Sequence, residues 1–254
     1  MAVVAAADDA ARQALVERAV YRPLRQGSAV AETVARLGQA IGMGLLGPGD
    51  RLPPETDLAA DLGISPVTLR AALTVLRGAG VIETQRGRGA RSVVCAPTAG
   101  AEPLGGRLEL TTDELQDLVD YRAVVESGAA ALAAERASEA QLDEIAAACA
   151  ALDAGTADYA DWARRDTVLH LLIADAAGSP RLVREVANLR AELYRLGSAI
   201  PVPQRALALA NQEHHELLRA LRDRQAKRAR TVMARHVSST GAMIAGLGRV
   251  RDRA

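Results

Sequence analysis

The stretch from Leu46 to Val94, LGPGDRLPPETDLAADLGISPVTLRAALTVLRGAGVIETQRGRGARSVV, reads as two helices joined by a tight turn and followed by a β-hairpin. Its second helix has the clearest signals. Ser65 offers a hydroxyl that can cap backbone N–H groups, and Pro66 follows at the first helical position, where a missing N–H costs nothing. Leu69, Ala72, Leu73 and Leu76 then recur at i, i+3, i+4, i+7, one apolar stripe of a 3.6-residue period, and Gly80 ends the element. A shorter amphipathic helix, Glu55 to Leu62, precedes it, with Leu58, Ala59 and Leu62 inward and Gly63 at its C-terminal turn. After it, the β-prone runs Val81–Gln85 and Ala90–Val94 flank Arg86-Gly87-Arg88-Gly89. The glycines permit a tight hairpin and place both arginines at its tip.

A two-helix turn with such a wing is a DNA-reading layout. The water-facing side of the second helix carries Val67, Arg70, Thr74 and Arg77, arginines at a seven-residue interval beside small side chains, which suits a major groove. Ser65, Val67, Thr68, Arg70, Thr74 and Arg77 are therefore the candidate DNA contacts, with Arg86 and Arg88 of the wing set for a phosphate or a minor groove. One exposed Arg is more often just a solvated side chain. Between Arg70 and Arg91, however, there are five Arg and one Glu.

The run from Pro48 to Ile82 resembles the winged helix-turn-helix of the GntR family of bacterial transcription regulators. The residues that carry the likeness are Pro48-Gly49, Leu52-Pro53, Glu55, Leu58-Ala59, the Leu62–Ser65 run, Thr68, Arg70, Ala72-Leu73, Leu76, Gly80 and Ile82. Family members often carry Arg just after the Glu and again just after the Ser; here Thr56 and Pro66 stand there, while the third arginine is kept as Arg70. The resemblance implies the fold and DNA binding. It does not imply which operator is read.

At 254 residues the chain is long enough for two domains, and 49% hydrophobic against 24% charged residues allows a substantial core. Aromatic residues make up only 2%, Phe is absent and Ala and Leu dominate, which points to a mainly α protein. Net charge is zero, yet the first 91 residues carry 11 basic and 9 acidic side chains, so a local basic edge can serve DNA without a basic protein. Cys95 and Cys149 show no C-x-x-C spacing and read as reduced residues. With no eighteen-residue apolar run and no basic flank ahead of an apolar N-terminal core, the expected location is the cytoplasm, without a membrane.

In chain order, residues 1–27 form an Ala-rich segment with a candidate short helix at Ala10–Val20. The DNA-binding domain spans 28–94 and opens with a helix at Ser28–Met43, whose stripe is Val30, Val34, Leu37 and Ile41. Residues 95–110 are a Pro/Gly linker. Residues 111–247 read as an all-α bundle of about six helices, at 111–136, 139–153, 157–177, 180–200, 204–222 and 225–247; a polar, loose tail follows at 248–254. Ser138 with Gln141 three residues on is a capping box for the second of these.

All four histidines lie in that bundle. Asp166 and His170 are i, i+4 and share their face with Ile173, Ala174 and Ala177; His214 shares its stripe with Leu217, Leu218 and Leu221; His236 lies among Val232, Met233 and Met243. His215, about 100° round the helix, sides with Arg219 and Arg222 and faces water. A lone buried His is usually a hydrogen-bonded core residue. Three aimed inward together with an Asp suit a divalent transition metal, with Zn, Ni and Mn all compatible.

The same residues resemble the FadR C-terminal domain family (FCD): Asp117-Leu118 with Arg122 and Glu126, Asp166 with His170, the run Glu213 to Leu221, and His236. The resemblance implies that Asp166, His170, His214 and His236 are metal ligands and that Arg122 meets an effector carboxylate. Leu169 stands where relatives often have Phe, which alters pocket packing. The function implied is a metabolite-responsive regulator, a repressor, binding an inverted repeat as a homodimer, with a small organic acid entering the bundle. Two other readings are a regulator with a metal-free pocket and a metal-dependent hydrolase. The hydrolase needs a general base, for which no spare inward carboxylate stands out.

Overall fold

Local capping chemistry sets where the helices begin. In the computed structural model, which describes residues 28–43, 45–85, 91–96, 110–154, 159–197, 203–246 and 250–251, helix α1 (Ala29–Gly42) starts where Ser28 Oγ accepts from the Ala31 N–H at 3.2 Å. Helix α2 (Glu55–Leu62) ends at Gly63, whose φ of 66° is the left-handed conformation that only glycine adopts freely. Helix α3 (Pro66–Gly78) starts at Ser65, whose hydroxyl accepts from the Thr68 N–H at 3.1 Å, with Pro66 at its first position. The axes of α2 and α3 bend by 105°, the angle of a helix-turn-helix.

Leu69, Ala72, Leu73 and Leu76 are all buried, as their spacing required. They close over Leu37 of α1, Leu58 and Ala59 of α2, and Leu52, Ile82 and Val94. Strands β1 (Ile82–Gln85) and β2 (Arg91–Val94) pair antiparallel, Ile82 opposite Val94 and Gln85 opposite Arg91. Arg51 bridges to Val93 and broadens the wing at its base. The Cys95 N–H donates to the Val81 carbonyl, so the wing continues one residue into the expected linker. Residues 97–109 of that linker, the N-terminal segment 1–27, and Arg86 and Arg88 lie outside the described residues.

The bundle is made of α4 (Thr112–Arg136), α5 (Glu139–Asp153), α6 (Tyr159–Ala176), α7 (Pro180–Gly197), α8 (Gln204–Arg222) and α9 (Ala226–Gly246). Among the described residues six helices stand where six were expected, with ends that agree to within one residue; positions 157–158, 198–200 and 247 of the expected spans lie outside the described residues. Capping boxes open the first two: Thr111 with Glu114, and Ser138 with Gln141. Helix α4 is the central element, packing against α6, α7, α8 and α9. Its C-terminal half buries Ala129, Ala130, Ala131, Ala133 and Ala134, side chains small enough for neighbours to close in around it. Nearer the N-terminus of α4, helix α9 also comes close. A Cβ added to Gly241 would fall 2.4 Å from Val119 Cγ2, so the two helices fit only without a side chain there.

One expectation is corrected. Within the tail expected to be loose, β4 (Val250–Arg251) pairs in parallel with β3 (Leu110–Thr111); the rest of that tail lies outside the described residues. Two residues pairing across 140 positions leave no periodic trace in sequence. Among the described residues, no single helix is long and apolar enough to cross a membrane.

Candidate metal centre and DNA-reading face

Three helices converge on one buried point. Helix α6 contributes Asp166 and His170, α8 contributes His214 and α9 contributes His236, all four at most 4% exposed. One ligating atom from each lies within 4.8 Å of every other. The ring orientations follow from partners behind them. His170 Nδ1 faces Glu126 Oε2, and His236 Nδ1 lies 3.1 Å from Glu213 Oε2. A carboxylate accepting from Nδ1–H leaves the lone pair on Nε2, and both Nε2 atoms turn inward. His214 Nε2 joins them, 3.3 Å from His236 Nε2 and 3.2 Å from Asp166 Oδ1. Asp166 Oδ1 and His170 Nε2 have no hydrogen-bond partner in this arrangement. Three imidazole nitrogens and a carboxylate oxygen, buried and turned toward one another, fit a divalent cation; without one, their lone pairs face a low-dielectric interior uncompensated.

Charge is arranged to keep these donors in their ligating forms. Burial alone would raise the Asp166 carboxyl, but the Arg190 guanidinium on its Oδ2 and the neighbouring histidines hold it well below the usual carboxylate range. Glu126 is buried too, and Arg122 and His170 hold it below that range. Burial lowers all three imidazoles, helped by Arg190 at His170 and by His214 at His236.

A pH dependence follows. A histidine held below its ordinary 6.5 in the fold accepts its proton later than in the unfolded chain. Metal-free protein should therefore lose stability as pH falls below about 6.5 and keep losing it through the lowered folded values. Thermal melts of EDTA-treated protein at pH 7.5, 6.0 and 5.0 should show a descending series. Equal midpoints would mean that the histidines are not buried in the neutral form.

The structure thus brings together Asp166, His170, His214 and His236, and leaves His215 at the surface, 2.6 Å from Asp153 Oδ2. Arg122 is fully buried; its Nε donates to Glu126 Oε1 at 2.7 Å, while Nη1 and Nη2 have no partner in this arrangement. Two carboxylates that carried the resemblance in sequence, but were given no place in the interior there, prove to be inward. Glu126 and Glu213 are both buried, but Glu126 is held by Arg122 and His170, and Glu213 by His236 and by Arg235 at 3.2 Å. Each orients a ring, and neither is a free base. Glu126 could have been found as the i+4 partner of Arg122 on the same face. Arg190 was also missed, although it falls four residues after the buried Val186 on the inner stripe of α7.

On the DNA-reading head, Val67 is 74% exposed at the start of α3, and Arg70 and Thr74 stand exposed on the same face. Glu55 Oε2 accepts the Arg70 Nε–H at 2.8 Å, and the Arg70 side chain stays largely exposed. Ser65 and Thr68 bond to each other at 2.8 Å. Arg77 is only half-exposed, and its Nε is buried without a partner.

A winged helix-turn-helix followed by a helical bundle with a buried, unpaired donor set is the build of a ligand-responsive transcription regulator. Comparison with known proteins bears this out. Residues 29–91 match the bacterial regulatory proteins of the gntR family, and residues 117–239 match the FCD domain. The HTH-type transcriptional regulator RmpR of Mycobacterium gastri is 34% identical over 226 residues, covering 86% of this chain and 81% of that protein. The Glc operon transcriptional activator of Escherichia coli K12 is 34% identical over 165 residues, 63% of this chain and 64% of its own. Among solved structures, E. coli McbR/YncC shares the fold with a TM-score of 0.53 at 20% identity, over 87% of this chain and 99% of that one. The chain belongs to the GntR family, in its FadR-like subfamily with an FCD effector-binding domain.

Proposed function

We propose that this protein is a cytoplasmic repressor that binds an inverted-repeat operator as a homodimer. A divalent transition metal, Zn, Ni or Mn, sits among Asp166, His170, His214 and His236, and a small organic acid enters the bundle beside it. The observation that carries the metal reading is the convergence of four buried ligating atoms within 4.8 Å. The metal supplies a Lewis-acidic anchor for a carboxylate. The chain's own residues do the rest: Glu126 and Glu213 hold the His170 and His236 rings, Arg190 holds the second oxygen of Asp166, and the free Arg122 nitrogens offer a counter-charge to the acid. A two-fold protein matches a two-fold site, which supports the inverted repeat. For the acid to switch the protein it must bind the DNA-competent and incompetent arrangements with different affinity; a few kcal/mol suffices.

The test starts from untagged protein. Metal analysis is expected to find about one ion per chain, and selection from a random duplex pool should enrich an inverted repeat. Arg70→Ala should weaken binding to that repeat by about tenfold or more per half-site and leave metal content unchanged. Unaltered operator affinity would remove Arg70 from the groove. Because one relative is named an activator, a reporter carrying the enriched repeat decides the sign: repression requires higher expression when the gene for this protein is deleted.

A further inference from the structure

The chain contains one Trp, four Tyr and no Phe. Three of these five rings, Tyr159, Trp162 and Tyr194, border one pocket between α6, α7 and α9, and that pocket reaches Asp166 and Arg190 at the metal centre. Its empty volume, open mouth included, is about 540 Å³. In a protein this poor in aromatic residues, such a concentration at one cavity is a feature of the cavity.

The rings are held in place. Trp162 is 7% exposed, and its Nε1–H donates to Asn211 Oδ1 at 3.0 Å. Its plane lies nearly parallel to Tyr159, with centroids 6.1 Å apart, and to the ligand-site ring of His214, at 6.4 Å. A continuous π wall therefore runs from the pocket to the metal donors. Ala163, Leu193 and Ile244 add aliphatic surface to the lining.

Apart from the Tyr159 and Tyr194 hydroxyls, the polar groups on the described lining are few and already engaged. Thr167 Oγ1 donates to the Ala163 carbonyl at 2.9 Å and Thr240 Oγ1 to the His236 carbonyl at 3.0 Å, so both hydroxyl protons are used within their own helices. Among the described residues Arg190 is the one cation on the lining, bonded on one side to Asp166 and Thr167, and a guanidinium carries five N–H donors in all. A polyhydroxylated acid would bury several hydroxyls here against apolar walls, each unpaired one costing about tenfold in affinity. A flat ring finds stacking surfaces on Trp162, and its carboxylate finds Arg190.

We propose that this pocket takes an aromatic carboxylic acid, its ring against Trp162 and Tyr194 and its carboxylate toward Arg190. This rests on the reading of the bundle as the effector compartment. Trp162 is the chain's only tryptophan, so its emission, excited at the red edge, reports on the surroundings of this one ring, and the heat of binding with the Tyr194 variant ties the change to this pocket.

The experiment titrates zinc-loaded full-length protein with benzoate, phenylacetate and D-gluconate, following Trp162 emission and the heat of binding. Both aromatic acids are expected to give a saturable emission change, with gluconate binding at least about tenfold more weakly. Trp162→Leu should weaken benzoate binding by about tenfold, read by heat, while keeping the bound zinc; Tyr194→Ala, at a half-buried ring, should weaken it similarly without disturbing the core. Gluconate binding as tightly as either aromatic acid overturns the inference and leaves the organic-acid reading in place. Binding of neither class to zinc-loaded protein overturns both. Equal benzoate affinity in protein stripped of zinc keeps the inference and takes the metal out of the proposed function.

Discussion

Glu126→Ala is expected to destabilise the metal-free protein by about 3–5 kcal/mol, the largest loss for any single substitution in the bundle. Glu126 accepts from Arg122 through one oxygen and from His170 through the other, and all three side chains are buried. Removing the carboxylate leaves the Arg122 guanidinium, already without partners at Nη1 and Nη2, as an uncompensated charge in a dry interior. The thermal midpoint should fall by roughly 10 °C. Replacing both members, Arg122→Met with Glu126→Leu, removes the stranded charge and should recover most of that stability, because a buried pair contributes little net against apolar residues of similar size. A double variant as unstable as the single one would show that the loss comes from packing or from the His170 Nδ1–H left without its acceptor, and not from the Arg122 charge.

The second large effect is on metal. His214→Ala should reduce zinc affinity by more than about a hundredfold, measured against a competing chelator, with binding to the selected operator retained in the absence of effector. His215→Ala is the matched control: its neighbour in sequence, but set at the surface with Asp153, it should leave zinc affinity unchanged. Glu213→Gln lies between them. It keeps the ligand His236 but weakens the partner that orients it, and a loss of about ten- to a hundredfold is expected. If His214→Ala and His215→Ala retain zinc equally, the ion is not held by these donors.

What could be read in the sequence was mostly local. Ser65 before Pro66, Gly63 after Leu62 and Ser138 before Gln141 are chemical statements made within four residues, and each stands in the structure as a cap or a terminus. Asp166 with His170 declared a shared face, and the apolar neighbours of His214 and His236 declared theirs, so the four candidate ligands could be grouped before any contact between helices was known. Periodicity tells which way a side chain points from its own helix. It does not tell which side chain from another helix comes to meet it. Arg190 meets Asp166 from 24 residues away, Glu126 meets His170 from 44, and β3 meets β4 from the far end of the bundle. None of these pairs has a spacing that sequence could advertise. Arg77 shows the converse: its stripe is outward, but its stem folds back against the head and buries Nε.

The contact of Gly241 with Val119 bears on how such a protein can vary. Helix α9 carries His236 and α4 carries Glu126, and the two are brought to working distance partly because one position has no side chain at all. An inventory of important residues drawn up by reactive atoms would omit Gly241, which offers none. Yet the smallest addition there, a single methyl group, would press on Val119 five positions from His236, so the cluster can be disturbed without changing any of its donors.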